Sequence, residues 1–283
     1  MYSLLTIVFA YCSMVYELFL AQTLTSVLGG TNLRYAMTIG LYITSMGIGA
    51  WLLRPLLDGP RPGSSAPVSG WRSARNVHQP HLLLVGVEII LMSVGLLVIP
   101  YVLFIDRLRG ELASAWGLVE HAFFDGAFAV AFQFPIVLIG ILSGLELPLL
   151  MKCAKDKREH GSASPAASGV FQADILAWDY VGTVLGALLF PFVLLPMLGV
   201  FGVSYVTVLI NALATMVVVI ASPNAAVRSG RPGRYRMFAA CAGFAAVALL
   251  FLTNVGAVQS FFVNQVYLAH SHDSAETLGG AGQ

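Results

Sequence analysis

Charge is the scarcest commodity in this chain. Of its 283 residues only 10% are Asp, Glu, Lys or Arg, while 58% are hydrophobic and mean hydropathy is +0.81. A soluble domain carries roughly 25% charged residues, so this composition excludes one and points to a chain that crosses a membrane many times. Cysteine is scarce too. Cys12, Cys153 and Cys241 are odd in number, scattered and without a C-x-x-C spacing, which leaves no disulfide framework and no zinc site. No H-E-x-x-H, G-x-S-x-G or Walker loop occurs. A net charge of +1 gives no argument for a nucleic-acid partner. The first residues lack the basic start and small-residue cleavage site of a secretory leader, so none is expected.

What is present is a succession of apolar runs. They fall at about 4–28, 35–53, 81–105, 122–151, 174–198, 203–220 and 237–255. This predicts an all-α, polytopic transmembrane helix bundle of about seven spans over residues 1–256, followed by an external tail at 257–283. Segments near 55–79, 153–169 and 222–236 are rich in Pro, Gly, Ser and basic residues and are expected to be mobile cytoplasmic loops. Residues 106–121, with Trp116, read as a short polar connection, with an interfacial helix as one form it can take. The fourth run would reach about 45 Å if straight, beyond a hydrocarbon core of about 30 Å. With Pro135, Gly140, Gly144 and Pro148 inside it, a kink or break is expected.

The few positive charges order the topology. Arg54, Arg61, Arg72 and Arg75 lie between the second and third runs. Lys152, Lys155, Lys157 and Arg158 lie between the fourth and fifth, and Arg228, Arg231, Arg234 and Arg236 between the sixth and seventh. Those twelve are all but three of the Lys and Arg residues, and every second connection is basic. The positive-inside rule then places the N-terminus in the cytoplasm and the C-terminus outside.

Against this background the acids in the apolar runs stand out. Glu17, Glu88, Glu146 and Asp179 each lie within a span, and no span holds a Lys or Arg to pair with them. A carboxylate at the centre of a span costs about 2.5–3.5 kcal/mol on insertion scales, so such a group is neutral, paired or turned to a polar interior. Glu88, Glu146 and Asp179 fall at one depth in the cytoplasmic half, the arrangement of a cation site or proton relay; Glu17 has no counterpart at its own depth. The plainer alternative is protonated carboxyls that hydrogen-bond to neighbouring helices and only pack. Asp174 sits in the first turns of its helix, where an acid favours the macrodipole. His270-Ser-His272 in the tail is an incidental pair rather than a metal site. Gly40 and Gly47, with Thr44, form a small-residue stripe; Gly144 and the pair Gly182 and Gly186 do the same on later runs, as close helix packing requires. Neither a cofactor nor a metal is expected.

Tyr16-Glu17, Gly47-x-Gly49, Gly144-x-Glu146-x-Pro148, Asp179-x-x-Gly182-x-x-x-Gly186 and Pro196-x-x-Gly199 resemble the membrane domain of integral-membrane spermidine synthases over roughly residues 10–220. In that family a polytopic domain precedes a soluble Rossmann-like aminopropyltransferase domain. The resemblance implies a bacterial cytoplasmic-membrane protein. The 28 or so residues after the last run hold no Gly-rich turn for an adenosyl cofactor and no catalytic acid pair, so the transferase activity is not carried over. The first expectation is a non-catalytic membrane subunit or scaffold that contacts lipid and docks other membrane proteins or a second copy of itself. The alternative is a carrier or channel for a cationic amine or protons, using the four buried acids. A membrane-embedded enzyme ranks last, because no nucleophile–base set appears.

Overall fold

The computed structural model describes residues 2–29, 32–57, 80–116, 122–159, 166–221, 230–261 and 264. Within them the chain is helical throughout, without a strand. In order come α1 (Tyr2–Leu28), α2 (Asn32–Leu57), α3 (Pro80–Trp116), α4 (Ala122–Glu159), α5 (Ala166–Leu189), a π-helical turn (Phe190–Leu194), α6 (Leu195–Ala221) and α7 (Gly230–Thr253). Segments 58–79, 160–165, 222–229 and 265–283 lie outside the described residues. With them lie most of the expected loops and the His270-Ser-His272 pair.

Six stretches are long and apolar enough to cross a membrane. The count of seven from the sequence divides one of these, Gln172–Ala221, whose 50 residues would extend about 75 Å, far beyond the hydrocarbon core. A division point exists. Gly199 has φ 64° and ψ 178°, a conformation essentially confined to glycine. Just before it, the π turn holds Pro191 and is followed by Pro196, and its closing Leu195 N–H donates to Phe190 C=O. A proline removes one rung of the α-ladder, and a single wider turn is a common accommodation. Helix therefore continues through both prolines and breaks at the glycine.

Elsewhere the structure corrects the sequence reading of proline. The fourth run is neither broken nor short: α4 runs through Pro135 and Pro148 as one 38-residue helix. Pro135 lacks the N–H that would satisfy Ala131 C=O, four residues back. Tyr101 of α3 supplies the missing donor, its hydroxyl lying 2.9 Å from that oxygen. Likewise the expected polar connection at 106–121 is, through Trp116, the end of α3. There Arg107 and Glu111 pair at 2.8 Å on one exposed face.

The helix α1 is the centre of the bundle, touching α2, α3, α4, α5 and α6. In its apolar window 61% of residues are buried, against 11% for Gln172–Ala221 and for Tyr235–Thr253. Phe9, Val15, Tyr16, Phe19 and Leu20 of α1 are almost wholly buried. Leu97, Val130, Leu188, Phe192, Leu213 and Leu250, by contrast, are exposed on the outside. Large apolar side chains all around the perimeter suit lipid, not water.

Several glycines allow the helices to close up, Gly144, Gly182 and Gly186 of the expected set among them. A Cβ at Gly144 would overlap the Met46 carbonyl of α2. One at Gly182 would overlap the Ile7 carbonyl of α1, and one at Gly186 would lie 2.9 Å from the Met14 Cβ. Gly40 and Gly47 behave otherwise. Both are exposed, and an added Cβ at either meets nothing within 4 Å. The close face of α2 is one step around the helix, at Ser45 and Gly49, against Gly140 and Ile141 of α4.

Candidate functional site

The helix pairs that pack most closely are α2 on α4 and α1 on α5. By comparison α2 and α5 barely touch, and α1 meets α4 between them. The space left is a cavity of about 400 Å³, with α1 and α4 beneath it and α2 and α5 at its sides. The small residues that make the close contacts therefore also determine where the gap falls.

Three of the four sequence-predicted acids line this cavity: Glu17 from α1, Glu146 from α4 and Asp179 from α5. Glu17 and Glu146 are only 7% and 6% exposed, and Asp179 is half-buried. Glu17 is thus not isolated, as its sequence position implies, because α1 is central and turns its Ser13–Glu17 face to the gap. Among the lining residues there is no Lys, Arg or His. The remaining polar groups are neutral. Ser13 Oγ and Tyr42 Oη share a hydrogen bond of 2.8 Å, and Thr183 donates to the Asp179 carbonyl at 3.0 Å. Ser143 is buried on the wall, and its Oγ has no hydrogen-bond partner among the described residues. It stands beside the Tyr42 hydroxyl without a bond of ordinary length and angle to it.

The fourth acid is placed differently. Glu88 of α3 is 0% exposed and does not line the cavity. It stands behind Glu146, its neighbour. Asp174 is exposed and takes no part. Tyr42, Ser143 and Asn211 went unremarked in the sequence, although an amide in the middle of the sixth apolar run is a legible signal. Among the described residues no three His, Cys, Asp or Glu side chains converge on one point as metal ligands would. The acids are instead spread along the gap.

Chemically, then, the molecule is a multi-pass helical membrane protein enclosing an acid-lined cavity without a basic counter-charge. Its sequence relatives are polyamine aminopropyltransferases. The chain is 30% identical over 270 residues to that of Mycobacterium tuberculosis, covering 95% of this chain and 41% of the relative. To that of Corynebacterium efficiens it is 31% identical over 218 residues (76% and 34%), and to polyamine aminopropyltransferase 1 of Streptomyces coelicolor 28% identical over 211 (75% and 32%). The chain is thus related to one region of these proteins and spans less than half their length. The likeness to the membrane part of spermidine synthases extends beyond residues 10–220, to nearly the whole chain. No family model and no solved structure matches it.

Proposed function

We propose that this bundle binds a cationic amine of the polyamine class in its acid-lined cavity. The observation that carries the reading is the set Glu17, Glu146 and Asp179 lining one cavity with no cationic side chain among the lining residues to neutralise them. Carboxylates in a low-dielectric site attract a positive partner strongly. Their spread suits a flexible chain with several ammonium groups better than a single ion. Ser143 and Tyr42 add neutral groups for the amine N–H bonds. The relatives' names supply the amine class.

The topology that fits has seven crossings, with Gln172–Ala221 turning back at Gly199. The cavity lies against residues 42–50 of α2 and 143–150 of α4, toward their C-terminal ends, and against residues 176–183 of α5. These ends lead toward Arg54, Lys152 and Lys155, which the positive-inside rule assigns to the cytoplasm. The amine is therefore a cytoplasmic one, held within the inner half of a bacterial cytoplasmic membrane. A test is spermidine titration into the detergent-solubilised chain. Glu146→Gln, which keeps shape and removes the charge, is expected to weaken binding by about tenfold or more. Wild-type protein that takes up no spermidine would end this reading.

A second reading, a membrane subunit that docks a partner enzyme, has one observation behind it. In the relatives the matched region is joined to a longer remainder of the same chain. Co-purification from native membranes under mild detergent tests it, and a solitary chain in that preparation counts against it.

A further inference from the structure

Behind the cavity lies a second polar cluster that the amine site does not use. Glu88 stands next to Glu146 and to Asn211 of α6, and Asn211 stands next to Tyr16 of α1. All are at most 6% exposed. Yet both carboxyl oxygens of Glu88, both polar atoms of the Asn211 side chain and the Tyr16 hydroxyl lack a hydrogen bond of ordinary length and angle among the described residues. Burying so many polar groups that have only one another at hand, in poor hydrogen-bond geometry, is costly, and packing alone does not account for it. The titratable groups that face Glu88 are Cys12 and Tyr16 from α1, Glu146 from α4 and Cys241 from α7. None carries a positive charge.

The arrangement separates ligands by size. An amine in the cavity reaches Glu146 and stops there, because Glu88 is not on the wall. A proton passes readily between adjacent carboxyls. Two carboxylates side by side cannot both hold a negative charge in such surroundings, and with no cationic group facing them an uncharged empty site requires a proton on each. The geometry points to a cation-for-proton exchange at Glu146: one ammonium group enters as one proton leaves, while Glu88 stays protonated and donates a hydrogen bond to the Glu146 carboxylate. This rests on the amine-binding reading above. The step makes and breaks no bond other than O–H. Glu146–COOH loses H⁺ to solvent, its carboxylate receives R–NH₃⁺, and the charge in the site is zero before and after. Glu88 is a positioning residue, with Asn211 and Tyr16 orienting it.

The test is calorimetric titration of spermidine into the full chain in detergent, in two buffers of different ionisation enthalpy. The difference in observed heat counts protons released. Wild-type protein is expected to release protons on binding. Glu88→Gln retains a donor toward Glu146 and is expected to release the same number, with affinity near that of wild type. Glu88→Leu retains none and is expected to bind about tenfold more weakly or worse. A symmetric elution profile for each variant on gel filtration shows that it is folded. Binding with no buffer dependence overturns the exchange and leaves the amine site standing. Loss of proton release in Glu88→Gln, or undiminished binding in folded Glu88→Leu, does the same. Absence of spermidine binding by wild type overturns both.

Discussion

Tyr101 shows how a single side chain lets this fold break a local rule. Its hydroxyl takes the place of the N–H that Pro135 lacks, so the Ala131 carbonyl is satisfied from a neighbouring helix. In water a solvent molecule would serve, but hydrocarbon offers none. Tyr101→Phe removes only that oxygen and leaves a carbonyl without its donor. The expected loss is about 1–3 kcal/mol of stability, read as a lower midpoint in thermal unfolding in detergent, and an unchanged midpoint would show that the bond is dispensable. The acids can be judged at the same scale. Glu146 and Asp179 were legible in the sequence because a charge in an apolar run has few permissible positions. Glu17 was legible as an acid but not as a neighbour, since its companionship depends on α1 being central. Asn211 was passed over because an uncharged amide disturbs hydropathy too little to be noticed.

At the scale of the helix, phase is the property that sequence leaves open. On α2 the residues Gly40, Thr44 and Gly47 form one small stripe, and Ser45 and Gly49 belong to another. Either could face a partner by composition. The structure selects the second, because Gly140 and Gly144 of α4 allow carbonyls of α2 to approach there. The consequence is a contrast between like substitutions. Gly144→Val forces apart α2 and α4 and is expected to abolish a monodisperse fold, or to lower its unfolding midpoint steeply. Gly47→Ala meets open space and gains helix propensity worth up to about 1 kcal/mol, so its midpoint should be equal or higher. The reverse order of stabilities would refute this packing. Pro135 and Pro148 signal a kink or a break, yet α4 is continuous through both, and at Pro135 a tertiary donor, Tyr101, replaces the lost bond. Gly199 was the stronger signal, for it has a conformation that other residues cannot adopt cheaply.

For the whole molecule, composition alone fixed the solvent, and the alternation of basic connections supports a direction for every helix. That direction is open to a direct check. In a chain whose native cysteines are replaced by serine, single cysteines at Arg54 and Arg107 should be labelled from opposite sides of sealed vesicles by a membrane-impermeant maleimide. Labelling from the same side would dissolve the topology, and with it the cytoplasmic placement of the acid-lined gap. The arrangement of helices around α1 could not be read, because it depends on contacts between runs far apart in sequence, such as Gly182 against Ile7.

The central place of α1 also bears on how the molecule is made. Of these helices α1 is the first to be synthesised, but Asp179 and Gly182 of its partner α5 emerge more than 150 residues later. Until then the cavity at Glu17 lacks its α5 side, with only the walls from α2 and α4 already emerged. The acid at the centre of the bundle is therefore fully enclosed only once a helix far along the chain has been made, and the order of synthesis leaves its surroundings to be completed late.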